Sequence, residues 1–259
     1  IEAAGTAVTV NVKINIAKGY LRLGPVAEVI RSFNLLLNGG GGEKLSPQLP
    51  DPLTSPVGYD NFAAGPRALM DMESGVNNTA LGSKALMSNK TGNNNTACGF
   101  LALYRSSGQG NTAFGSVAGE WLTTGSFNCF FGLGAAEKQL DGRFNVAIGY
   151  EAMGEATSTT YSVAIGYRAN ANTGDASQSN SINIGSFAGD FSIGSNNTHV
   201  GYRAGNNLGG ATAPGTGTGH DNTFVGMFAA RYNAAGSESV VVGAGAATTA
   251  TRVQGAVVI

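Results

Sequence analysis

From Tyr59 to Ala247 short apolar triplets alternate with longer polar stretches, and eleven stretches share one order. That order is Asn or Ser, a free residue, usually Ala, an aliphatic or aromatic residue, Gly, two free positions, then Ala. Copies read NTALGSKA (78–85), NTAFGSVA (111–118), NVAIGYEA (145–152) and NTHVGYRA (197–204). The central glycines are Gly65, Gly82, Gly99, Gly115, Gly132, Gly149, Gly166, Gly185, Gly201, Gly226 and Gly243. Their spacings are 17, 17, 16, 17, 17, 17, 19, 16, 25 and 17 residues. A fixed period of this size is the mark of stacked repeats, so the fold is a rod with contacts mainly between neighbouring coils.

Three columns give the coil its expected shape. The residue before Gly is Leu81, Cys98, Phe114, Phe131, Ile148, Ile165, Ile184, Val200, Val225 or Val242 in successive copies, an apolar column. The third residue after Gly is Ala in all eleven copies, where layers must approach closely. The fourth residue before Gly is Asn in eight copies and Ser in three (Ser162, Ser181, Ser239), side chains able to hydrogen-bond along a stack as a ladder. The pattern predicts an all-β parallel β-roll or β-solenoid of about 17 residues per coil. Each coil is expected to hold a short strand ending at Gly, a bend, and a second short strand through the Ala.

Residues 1–56 lack the repeat and are expected to form a small α+β attachment segment. Ala7 to Ile16 (AVTVNVKINI) alternates as a half-buried strand does, and Pro25 to Asn38 fits a helix started by proline and stopped by Gly39. Glycines and then Pro47, Pro50, Pro52 and Pro56 read as a connector. The repeat domain is placed at 57–259, with an inserted loop at 205–221. The start at Ile1 and the apolar end Gly255–Ile259, without a solenoid's polar cap, are those expected of a piece of a longer polypeptide.

Charge narrows the function classes. Lys+Arg 15 against Asp+Glu 16 leaves a net charge of -1, which offers no basic field for nucleic acid. No apolar run approaches a membrane span, so no membrane insertion is expected. Cys98 and Cys129 fall two coils apart, too far for a disulfide, and read as free buried thiols. Each coil carries little apolar mass relative to the entropy of ordering it, at about 1–2 kcal/mol per residue of backbone. Chains are therefore expected to pool their apolar columns, and a homotrimer is the natural closed solution for parallel rods.

The copies NNTALGSKAL (77–86) and NNNTACGFLAL (93–103) resemble the head repeats of trimeric autotransporter adhesins. They are more similar still to related repeats in bacteriophage tail fibres and tail spikes. The resemblance covers most of the chain and implies a trimeric left-handed parallel β-roll in a virion tail, attaching to a host cell-surface glycan or protein. It also implies that residues 1–56 join other tail proteins. A repeat longer than the usual adhesin one, and the lack of a heptad stalk, favour the fibre branch over a bacterial surface adhesin. No enzyme activity is implied, the alternative being a tail-spike polysaccharide hydrolase.

Candidate chemistry falls in three places. Glu120 and Glu137 occupy the fifth position after Gly on consecutive coils, shared by Asp190, with Trp121 adjacent. Stacked carboxylates roughly 5 Å apart suit a glycosidase pair or a glycan contact, and equally two solvated side chains. Tyr150, Tyr167 and Tyr202 follow motif glycines, and Arg168 and Arg203 follow two of these tyrosines, a pattern for sugar stacking, anionic-glycan binding or simple packing. His220 and Asp221 end the inserted loop, where binding residues often sit. His199 and His220 make a poor metal case, so no metal and no cofactor are expected. Asn77, Asn89, Asn94 and Asn196 stand in Asn-x-Thr sequons that the repeat itself generates, and read as ladder and turn residues.

Overall fold

The computed structural model describes two short N-terminal strands and residues 60–171, 179–192, 194–206, 219–232, 236–249 and 252–259. Strands β1 (Glu2–Ala4) and β2 (Ala7–Thr9) pair antiparallel, Glu2 opposite Thr9. The rest of the expected strand to Ile16, the helix at 25–38 and the proline connector lie outside the described residues.

The repeats form one twelve-stranded parallel sheet in strict chain order. Its strands are β3 (Phe62–Ala64), β4 (Thr79–Leu81), β5 (Thr96–Cys98), β6 (Thr112–Phe114), β7 (Cys129–Phe131) and β8 (Val146–Ile148). They continue as β9 (Val163–Ile165), β10 (Ile182–Ile184), β11 (Thr198–Val200), β12 (Thr223–Val225), β13 (Val240–Val242) and β14 (Val257–Val258). Register never slips: Ala80 faces Ala97, Ala97 faces Ala113, and Ala147 faces Ala164. The chain is a β-solenoid with one strand per coil.

The expected second strand is absent from the described coils. The segment through the Ala column is a run of turns, because the second and fourth residues after Gly take left-handed backbone, as at Lys84 (φ 60°) and Leu86 (φ 49°). Those angles cannot extend into a strand. The backbone groups are nonetheless satisfied. Ala85 N–H bonds the Gly82 carbonyl within the coil (3.3 Å), Lys84 N–H donates to Pro66 of the preceding coil (2.8 Å), and Leu86 N–H to Ala102 of the next (3.0 Å). A third left-handed position precedes each Asn or Ser, as at Asn77 (φ 58°). Strain of roughly 1 kcal/mol or more at such non-glycine sites is held by the stacked neighbours.

Two close approaches demand glycine. A Cβ on Gly115 would lie 2.2 Å from the Gly132 carbonyl oxygen, and φ there is 146°. Seven residues earlier in the coil a second column stacks as tightly, a Cβ on Gly108 falling 1.8 Å from the Gly125 carbonyl. Between these columns runs the Asn ladder. Asn95 Nδ2 donates to Asn78 Oδ1 (3.1 Å) and to the Gly108 carbonyl (2.9 Å), while its backbone N–H also reaches Asn78 Oδ1 (3.0 Å). Asn128 repeats the pattern on Asn111 and Gly142. Ser162 and Ser181 continue it through single bonds.

The interior is narrow and filled by exchange of size between two inward positions. In the first three coils the middle strand residue is Ala63, Ala80 or Ala97, and the bulk comes from Leu69, Leu86 and Leu103 opposite. Where β7 brings in Phe130, the neighbouring coil retreats to Gly119, whose Cβ would meet the ring at 2.8 Å. Further along, the interior turns polar: Asn170, Asn183, Asp190, His199 and Asn206 are all buried. Phe224 and Val241 restore an apolar core beyond them.

Candidate functional site

Because the middle residue of each strand points inward, the first and third point out, and they make the outer face of the sheet. This face carries the apolar column that precedes the glycines. Leu81, Phe114, Ile148, Ile184 and Val242 are each 37% exposed, Phe131 is 53% exposed, and Phe114 stacks on Phe131 with ring centroids 5.4 Å apart. The column is thus a surface of the single chain and not its core. Cys98 and Cys129 lie on the same face, free as expected but only half-buried, since strand alternation turns both outward.

Along one border of this face, five residues before the glycines, runs a ladder that the sequence reading missed. Phe127, Phe144 and Tyr161 stack nearly flat, with centroids 5.2 and 5.0 Å apart and planes 10° and 2° apart. Each ring sits on left-handed backbone (φ 61°, 56° and 56°). Their only shared signal is an aromatic residue just before the ladder Asn or Ser in three successive copies. Polar residues occupy this border elsewhere: Asn196 Nδ2 donates to Asp221 Oδ1 (2.8 Å), and His220 Nδ1 lies 2.6 Å from Asp221 Oδ2. The His220 hydrogen bond, aided by Asn196, holds the Asp221 carboxyl below its ordinary range.

The opposite border carries the tyrosine and arginine candidates. Tyr150 stacks on Tyr167 at 5.3 Å and 9°. From there the geometry changes, and Tyr167, Phe187, Tyr202 and Phe228 meet edge to face at 5.1, 6.4 and 5.3 Å. Arg168 pairs with Glu151 (3.0 Å), and Glu151 also accepts the Tyr150 hydroxyl, which raises the tyrosine's pKa. Arg203 lies over Phe187 and Tyr202 (5.2 and 5.3 Å), and Arg231 over Phe228 and Tyr232 (5.1 and 4.8 Å). Phe187, Phe228 and Arg231 were not singled out from sequence, because they sit at different offsets from their glycines and only folding gathers them.

Glu120, Glu137 and Trp121 form a third strip. Burial, followed by the adjacent Glu120 carboxylate, pushes the Glu137 carboxyl up. Lys138 turns away to Glu155 (2.5 Å). Trp121 is capped by the Arg105 guanidinium, 3.8 Å from its ring centroid, so that face of the indole is covered. Asp190 shares the column but is buried, and Gly154 and Ala171 separate it from Glu137. The ten candidates therefore fall in three strips. The carboxylate strip borders the tyrosine strip where Glu151 adds to the raised pKa of Glu137.

Among the described residues no group of three His, Cys, Asp or Glu is arranged to hold a metal ion, and no helix is long and apolar enough to cross a membrane. No protein-family model, curated protein or solved structure matches this chain.

Proposed function

We propose that the chain is a structural, receptor-binding fibre of a bacteriophage tail, assembled as a homotrimer and attaching to host cell-surface glycan. One observation carries this reading: a solenoid whose outer sheet face bears an apolar column along its array. Isolated soluble chains rarely leave so long a contiguous apolar face in water, and such faces mark association surfaces. The column repeats at the coil rise, so its natural cover is the same face on parallel copies, closed about a common axis. The polar and aromatic borders then remain for recognition, where a threefold copy of weak contacts gives avidity. In this reading residues 1–56 join the fibre to other tail proteins.

Light scattering on the full chain tests the assembly. A native mass three times the 26.2 kDa of one chain is expected, and a folded monomer overturns the proposal. Adsorption of the labelled fibre to bacterial cells tests the attachment itself.

A further inference from the structure

We infer that the edge-to-face ribbon from Tyr167 to Phe228, with Arg203 and Arg231, is the binding strip for an acidic polysaccharide lying along the rod. The inference rests on the attachment reading for its setting, and on local geometry for its chemistry. Two aromatic arrangements coexist on this molecule, and only the edge-to-face one carries arginines over its rings. In the Phe127–Phe144–Tyr161 ladder and the Tyr150–Tyr167 pair, parallel rings cover one another's faces. Those are packing contacts. From Tyr167 onward the rings turn by 70° to 78° at each junction; Tyr167 and Tyr202 stay 45% and 40% exposed, while Arg203 and Arg231 lie over the half-buried Phe187 and Phe228. The apolar face of a sugar ring stacks on such a surface.

The guanidinium groups choose the kind of sugar. Arg168 is spent on Glu151, but Arg203 and Arg231 meet no carboxylate among the described residues. Each is held over two rings, and the Nε of each is buried without a hydrogen-bond partner. Stem and plane are thereby fixed before any ligand arrives. A planar fork of N–H donors held in this way suits a carboxylate, which it grips by two parallel bonds. Among the described residues the charge of each arginine is otherwise answered only by ring quadrupoles, worth about 0.5–1 kcal/mol at exposed sites. A carboxylate adds to that attraction without displacing any partner.

Spacing sets the orientation. The four rings belong to successive coils, so at a rise of about 4.8 Å they span about 14 Å along the axis. One coil rise is close to the length of one sugar unit in an extended chain. A polyuronate running parallel to the rod would therefore set sugar rings against the exposed Tyr167 and Tyr202, two coils apart. Its carboxylates would come within reach of Arg203 and Arg231, one coil apart.

The test uses the full chain titrated with a tetrauronate (oligogalacturonate or oligomannuronate) and with a neutral tetraglucoside of equal length. Binding of the uronate is expected, weakening as salt rises, with the neutral sugar at least tenfold weaker. The double variant Arg203→Gln/Arg231→Gln is expected to lose at least tenfold in uronate affinity with native mass and melting temperature unchanged. Arg105→Gln, beside Trp121, is expected to change nothing. Tyr202→Leu gives a second route to the same loss if the double variant folds poorly. The inference falls if no uronate binds, if the double variant binds as the wild type does, or if that variant's native mass changes, since the ribbon would then be a subunit contact. A chain that adsorbs to cells but ignores uronates keeps the attachment reading and loses this one. A chain that binds uronates at the ribbon but adsorbs to no cell does the reverse.

Discussion

At the scale of single residues, stability in this rod is a matter of repetition in the Gly, Ala and Asn/Ser columns. Asn128 illustrates the demand. Its Nδ2 answers the Gly142 carbonyl (2.8 Å) and Asn111 Oδ1 (3.0 Å), and its Oδ1 answers the Asn145 backbone N–H (3.0 Å). Asn128→Ala leaves a buried carbonyl and a buried N–H without partners, each costing about 1–3 kcal/mol. A loss of about 2–4 kcal/mol in urea unfolding is expected. Asn128→Ser should lose less than half of that, since the Ser162 and Ser181 hydroxyls still accept the next rung's backbone N–H. Equal losses from both variants would show that the ladder bonds contribute little. These columns were legible in the sequence because each position admits one or two residue types. The left-handed positions were not. Lys84, Leu101, Val117 and Glu151 share no chemistry, and their backbone is dictated by the coils above and below. The aromatic borders were hidden for a related reason, since each contact joins residues of neighbouring coils, three of them 17 positions apart and the others 20, 15 and 26.

At the scale of the coil, the interior obeys a volume rule: a large residue on one wall faces a small one on the other. The rule holds even where the core becomes polar. Gly189 and Gly205 make the room that Asn183 and His199 fill, a Cβ on Gly205 falling 2.4 Å from the imidazole. His199 Nδ1 lies 2.7 Å from Asn183 Oδ1, and its ring stacks on Phe224 at 5.2 Å. Burial lowers the His199 pKa from 6.5 to about 4. The sign follows from linkage. Between those values the unfolded chain holds a proton that the folded chain refuses, so stability is complete above pH 6.5 and declines towards pH 4. The loss is on the order of 3 kcal/mol per chain at most. The double variant Asn183→Ala/His199→Phe reproduces the Ala113–Phe130 pair between β6 and β7, and it removes the titrating group. Its melting temperature is expected to lose the His199-dependent slope between pH 6.5 and 4. A slope as steep as the wild type's would assign the acid sensitivity to other groups. Sequence reading weighed His199 only as a metal ligand, because a histidine in the middle of a three-residue strand gives no sign of which way it points.

At the scale of the whole molecule, the sheet divides one surface into a face with an apolar column and two borders of aromatic and polar residues. Ile148→Asp sets a charge in the centre of that face, 37% exposed in the single chain and within the proposed subunit contact. Burying it unpaired at each subunit would cost several kcal/mol. The native mass is expected to fall to that of one chain at micromolar concentration, and an unchanged trimer would place the subunit contact elsewhere. Strand order has a mechanical consequence as well. The inter-coil hydrogen bonds run parallel to the rod, so tension along the rod opens them coil by coil from an end, with no single moment of rupture. Each detached coil releases about 17 residues of contour, near 50 Å once the rise it occupied is subtracted. Under load such a solenoid lengthens as a spool pays out thread, absorbing a pull while its remaining turns stay wound.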